Sequence, residues 1–307
     1  MDFLYAINHL VFSAFMTLFI LEFGVACLLL IDYDGLKDKL RSYINPIWGI
    51  TGTFAVFYLL STAVTYPALM GIVGNVFIVP LFVVAFFILL RNAFMAYSEY
   101  IGGGKNEKLY LRFFSISTIV IAFVLMSTFA TAISEVGYSN LQLDLSFMAN
   151  PYNISLFISI ALIAIAASVL YFDIRKSEKF ELLAAAIGLA LLIIPTAVFA
   201  GYMRQGIVSY WYLIVADIVF LAVIATLGYF DKKIAGPLVM LWLFLSVNLF
   251  CLVQYPYLLG GKINLVDYLV NPATGFYDGI VTAVIFALLV VSLPILMKFV
   301  YANRRGY

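Results

Sequence analysis

The sequence predicts an all-α polytopic membrane protein with nine transmembrane helices, N-terminus outside the cell and C-terminus in the cytoplasm. Three observations carry that expectation: composition, a series of apolar runs of bilayer length, and a one-sided distribution of Lys and Arg. Of the 307 residues, 65% are hydrophobic and only 11% charged, with a mean hydropathy of +1.09. Soluble domains carry roughly 25% charged residues, so this chain cannot cover a water-exposed surface.

Runs long enough to cross hydrocarbon, about 20 residues each, fall at 8–31, 46–70, 75–97, 111–135, 151–173, 181–203, 209–230, 235–259 and 276–300. Backbone groups in lipid must be satisfied within the segment, so each run reads as a helix. No basic stretch or small-residue cleavage site precedes the first run, which is therefore expected to persist in the mature protein. The pairs Asn45-Pro46, Asn150-Pro151 and Asn271-Pro272 read as helix starts, because Asn caps well and Pro suits the first helical position. Tyr66-Pro67 and Tyr255-Pro256 close the second and eighth runs; Tyr suits the interfacial belt and Pro ends or bends a helix. Short loops leave no room for a separate soluble unit, so residues 1–307 read as one transmembrane domain.

Orientation follows from the loops. Lys37, Lys39 and Arg41 lie in the first, Lys105, Lys108 and Arg112 in the third, and Arg175, Lys176 and Lys179 in the fifth. Lys232 and Lys233 lie in the seventh, and Lys298, Arg304 and Arg305 in the tail. On the opposite side stand only Arg204 and Lys262. Basic loops stay cytoplasmic, and an odd number of spans preserves the alternation. A cell-membrane location is expected.

The chain is poor in catalytic groups. Its one histidine, His9, reads as an interfacial structural residue and cannot by itself supply the axial ligands of several haems. A catalytic zinc needs about three ligands, and Cys27 and Cys251 sit in apolar runs, so no metal site and no disulfide is expected. The triple glycine Gly102-Gly103-Gly104 is too short for a nucleotide site. No catalytic residue is assigned.

Ionisable residues within spans remain, since a charge in hydrocarbon is costly and seeks a partner or cavity. Glu22 and Arg91 lie at similar depth, about two turns from the same end of their helices, and are expected to form either a proton relay or a buried ion pair. Snorkelling of Arg91 to the headgroups is the plainer alternative. Asp217 is the third such group, while Glu99 and Asp173 read as interfacial.

Leu21-Glu22-Phe23-Gly24-Val25, then Pro46-Ile47-Trp48-Gly49-Ile50-Thr51-Gly52-Thr53-Phe54 and Tyr66-Pro67, resemble subunit II of cytochrome bd-type quinol oxidases, in diverged form. That family has Gly-Phe-Asp-Met-Gly-Val near the end of helix one, and Glu22 stands where it has Asp. Its helix two begins Pro-His-Trp-Asp-Gly-Asn-Gln-Val-Trp and ends near Trp-Pro or Tyr-Pro, with the Trp48-to-Pro67 interval matched without a gap. Here Ile47, Gly49, Ile50 and Gly52 replace the family's His, Asp, Gly and Gln, leaving Pro46, Trp48, Tyr66 and Pro67 as a packing frame.

The resemblance implies a haem-free membrane subunit of a quinol:oxygen oxidoreductase complex of the respiratory chain. Haems b and d would belong to the partner, subunit I, against which this chain would pack, in contact with membrane lipid. Protons for water are drawn from the cytoplasm in that family, which points to Glu22 as a relay. The resemblance also leaves room for a bound quinone. The competing function is a secondary transporter or permease subunit, suggested by Pro80, Pro195 and Pro294 inside spans; a structural or lipid-modifying role is the third class.

Overall fold

The structure, a computed structural model, describes residues 3–98, 106–134, 136–139, 142–143, 147–172, 174, 178–230 and 232–304. Glu99, Gly102, Gly103, Gly104, Lys105, Asp173, Arg175, Lys176 and Arg305 lie outside the described residues, as do the side chains of Pro46 and Trp48.

Ten α-helices occupy the described residues: α1 (Phe3–Ile31), α2 (Tyr33–Thr65), α3 (Pro67–Ala96), α4 (Glu107–Ser134), α5 (Pro151–Phe172), α6 (Glu178–Phe199), α7 (Met203–Ser209), α8 (Trp211–Phe230), α9 (Lys232–Gln254) and α10 (Pro272–Arg304). Two small antiparallel ribbons, β1 (Tyr138–Ser139) with β2 (Gln142–Leu143) and β3 (Tyr257–Leu258) with β4 (Ile263–Asn264), sit in connections. Among the described residues, six helices are long and apolar enough to cross a membrane, or seven when α7 and α8 count as one span bent by 69°. The protein is thus all-α and multi-pass.

Neighbouring helices form antiparallel hairpins stitched by polar side chains. In α1–α2, Asn8 donates to Ser61 at 3.0 Å and Phe12 packs on Tyr58. In α5–α6, Ser159 donates to the Gly188 carbonyl at 2.7 Å and Tyr152 pairs with Thr196 at 3.1 Å. Helix α1 is the axis of the bundle, packed by α2, α4, α5, α9 and α10. A helix apolar on every side is one that is enclosed on every side, and Leu21, Phe23, Val25 and Ala26 all reach 0% exposure.

The Asn-Pro pairs divide. Asn150 and Asn271 do start helices: the Asn150 carboxamide accepts from Asn153 N at 2.9 Å, and that of Asn271 from Ala273 N at 3.0 Å. Asn45-Pro46 does not, because α2 begins thirteen residues earlier, at Tyr33. Asp32 is the cap there, its carboxylate accepting from Gly35 N at 3.1 Å. The segment read as a loop is an amphipathic helix, with buried Tyr33 and Leu40 and half-buried Leu36 on one face.

Tyr66-Pro67 ends α2 and also starts α3, with Pro67 in the first turn, so the third helix begins earlier than residue 75. Helix α9 stops at Gln254, short of 259. The following segment folds over the end of the bundle, where Leu259, Ile263 and Leu265 pack with Tyr5, Tyr66, Leu69 and Phe77. Val270 N donates to the Thr65 carbonyl at 3.0 Å. Both Tyr-Pro ends therefore lie at the same end of the molecule, with Tyr255 ring-packed on Tyr5 at 4.0 Å.

Candidate functional site: a buried carboxylate–guanidinium pair

Glu22 and Arg91 meet. Arg91 Nη1 lies 2.9 Å from Glu22 Oε1, with the side chains 3% and 1% exposed. The approach is a charge contact rather than an aligned hydrogen bond. The guanidinium is held from two other sides: its Nε donates to Asn92 Oδ1 at 3.3 Å, and its carbon stands 6.0 Å from the centre of the buried Phe114 ring. Arg91 therefore points inward, and the snorkelling alternative does not describe it.

Three helices besides α1 wall this site: α2, α3 and α4. The hydroxyl of buried Thr51 on α2 reaches the Glu22 carboxylate while bonding the Ile47 carbonyl at 3.1 Å. Thr53, two residues on, turns away and is exposed. Of the helix-two replacements, Ile47 is buried apolar packing and Gly49 is exposed.

Glycine at position 24 has a packing cause. A Cβ there would stand 2.1 Å from the Ala164 carbonyl oxygen and 2.3 Å from Ser168 Oγ, so α5 lies against bare backbone. Ser168 donates to the Leu21 carbonyl at 3.2 Å, locking the helices at the residue next to Glu22.

Asp217 lies apart from this pair, on α8. Ser246 of α9 donates to its Oδ1 at 2.8 Å. His9 is engaged by one residue through both ring nitrogens: the Tyr5 hydroxyl at 2.9 Å from Nε2 and the Tyr5 carbonyl at 3.1 Å from Nδ1. It lines a cavity of about 220 Å³ with Asn8, Tyr58, Tyr66 and Gln254. Outside the spans, Lys108 joins Asp34 at 2.6 Å. The bonded ammonium holds the Asp34 carboxyl below its usual value, assisted by Lys37 and Arg112. That contact puts the first- and third-loop ends of the bundle side by side.

Sequence reasoning named Glu22, Arg91 and Asp217 but not Asn92, Phe114, Ser246 or the Gly24–Ala164 contact. Only Asn92 carried a local signal, as a polar residue beside Arg91 in an apolar helix.

A family model, that of cytochrome bd terminal oxidase subunit II, matches residues 2–300. The chain belongs to the cytochrome bd terminal oxidase subunit II family. Family membership makes it a subunit of a bd-type oxidase and implies a complex with a catalytic subunit I. It also selects the oxidase reading over the transporter alternative. A search of curated protein sequences finds no match. Among solved structures, the chain is similar in fold to one from the bd oxidase of Geobacillus thermodenitrificans, with a TM-score of 0.76 and 17% identity over 96% of both chains. In this bd subunit II, the Leu21–Val25 segment thus supplies both a buried acid and the glycine that seats α5.

Proposed function

We propose that this bd subunit II is haem-free, packs against and stabilises a haem-bearing subunit I carrying haems b and d, and feeds protons toward oxygen reduction through Glu22. The observation that carries the proton role is the enclosure of Glu22 with Arg91 in the bundle. A carboxylate can take up and release a proton, while the fixed guanidinium holds it in place and balances its charge. Ile47, Gly49, Ile50 and Gly52 have no side-chain group that transfers protons, and Thr51 is the polar neighbour contributed by α2.

For docking, α3 and α10 are weakly enclosed helices that both touch α2 and expose Val79, Phe82 and Leu89 on one, Tyr277, Val281 and Leu288 on the other. These adjoining apolar faces are the surface proposed for subunit I. Nine crossings are proposed by adding to the six helices the bent α7–α8 pair and the apolar stretches Gly49–Thr65 and Leu183–Phe199. The basic loops then place the N-terminus outside and the C-terminus in the cytoplasm of a plasma-membrane protein.

The test is Glu22→Gln in the assembled complex, read as oxygen-consuming quinol oxidase turnover at matched haem content. Reduced turnover with normal haem supports the relay. Unchanged turnover removes it and leaves Glu22 as half of a structural pair.

A further inference from the structure

Tyr5 stands between two rings. Its centroid lies 3.9 Å from that of His9 and 4.0 Å from that of Tyr255, and it is buried at 0% exposure. His9 lies one turn on along α1, and Tyr255 follows α9 in the segment that folds over that end of the bundle.

The hydrogen bonds fix the direction of the proton. A backbone carbonyl only accepts, so His9 Nδ1, 3.1 Å from the Tyr5 carbonyl, carries the ring hydrogen. In the neutral imidazole Nε2 is then the acceptor, and the Tyr5 hydroxyl 2.9 Å away donates to it. The phenolic proton already points at a base. Tyr152, by contrast, pairs with the Thr196 hydroxyl at 3.1 Å, and a hydroxyl is no base near neutral pH. The chain has one histidine, so among the described residues Tyr5 is the one tyrosine so equipped. Asn8 lines the same cavity as His9 and spends both amide hydrogens, on Ser61 at 3.0 Å and Thr62 at 3.2 Å. What it has left is an acceptor oxygen, which suits a neighbour that becomes cationic.

A phenol that loses an electron becomes a very strong acid. A buried tyrosine is therefore oxidised readily only where a positioned base takes its proton in the same step. We propose that Tyr5 and His9 form a one-electron redox pair that intercepts peroxyl radicals, products of incomplete dioxygen reduction, at the capped end of the subunit. The electron leaves Tyr5 through the half-buried Tyr255 and converts the peroxyl radical to the peroxide anion. The phenolic O–H bond breaks as an N–H bond forms at His9 Nε2, leaving a neutral tyrosyl radical beside an imidazolium. A quinol, the reductant of a quinol oxidase, returns one electron and becomes a semiquinone with loss of one proton. The proton held on His9 then goes back to the phenolate. The pair is independent of Glu22.

The experiment oxidises the intact complex in nanodiscs with a tris(bipyridine)ruthenium photooxidant, traps it by freezing and records the high-field electron paramagnetic resonance spectrum. The expected signal is a tyrosyl radical whose gx is lowered by the imidazolium bond. Tyr5→Phe, which keeps the ring between His9 and Tyr255, should abolish that signal, and Tyr152→Phe should leave it unchanged. His9→Leu should cut its yield at least about 100-fold, the scale of a lost general base. Tyr255→Phe should slow its formation without moving gx. Peroxyl radicals from an azo initiator must give the same signal. A radical without the lowered gx, a signal surviving Tyr5→Phe, a yield unchanged in His9→Leu, or silence toward peroxyl radicals would overturn the proposal.

Discussion

Glu22 and Arg91, sixty-nine positions apart in the chain, form a 2.9 Å ion pair in which neither side chain is more than 3% exposed. Such a pair gains little against well-packed apolar residues, yet removing one member strands a buried charge. Arg91→Leu is therefore expected to destabilise the subunit by roughly 3–5 kcal/mol, and Glu22→Leu combined with Arg91→Leu to recover much of that loss. Thermal unfolding of the purified complex, analysed as a double-mutant cycle, checks it. Additive losses would show that the two charges are not coupled.

Gly24→Ala tests the contact between α1 and α5. Its new methyl would sit 2.1 Å from the Ala164 carbonyl oxygen, and backbone cannot yield as a flexible side chain can. A loss of roughly 1–3 kcal/mol is expected from overpacking. Lower thermal stability, together with reduced assembly with subunit I, is the readout; a wild-type midpoint would mean that α5 shifts freely.

A pH effect is expected at the Asp34–Lys108 bridge. The Asp34 carboxyl lies below its usual value of 3.8 because Lys108 bonds it. The folded value being the lower one, the stabilisation is present above the usual value and disappears as pH falls through the folded value. The bridge is exposed, so the effect is small and screened by salt. Comparing thermal midpoints of wild type and Asp34→Asn from about pH 5 to about pH 3 should show the difference narrowing with acid. A constant difference would refute the linkage.

Topology has its own test. Lys108→Cys should react with a membrane-impermeant thiol reagent only in inverted vesicles, and Lys262→Cys only in whole cells. The reverse pattern would invert the proposed orientation.

Much of this fold was legible because the bilayer imposes a long apolar period on a chain that has to cross it. The family resemblance rested on a few residues, and the match over residues 2–300 agrees with it. Where the sequence misled, local chemistry pointed two ways. Asn45-Pro46 is a good helix start by composition, but the face of Tyr33, Leu36 and Leu40 had already committed the chain to helix. The meeting of Glu22 with Arg91 could be suspected from matched depth. That Phe114 completes it could not, since no spacing along the chain links it to residue 22; only Asn92, a polar neighbour of Arg91 in an apolar helix, carried a local signal. The bend between α7 and α8 was equally hidden: Gly206 comes so near Val253 that a Cβ there would be 2.5 Å from its carbonyl oxygen, which only the folded neighbour reveals.

The early start of α2 has one more effect. At 33 residues and 1.5 Å per residue it is about 50 Å long, against about 30 Å of hydrocarbon. A continuous rod therefore runs from Asp34, beside Lys108 in water, past Thr51 at the buried pair, to Tyr66 under the cap at the far end. The surface bridge and the hydroxyl that borders the interior acid are therefore carried by one helix, Asp34 and Thr51 standing about 25 Å apart along it.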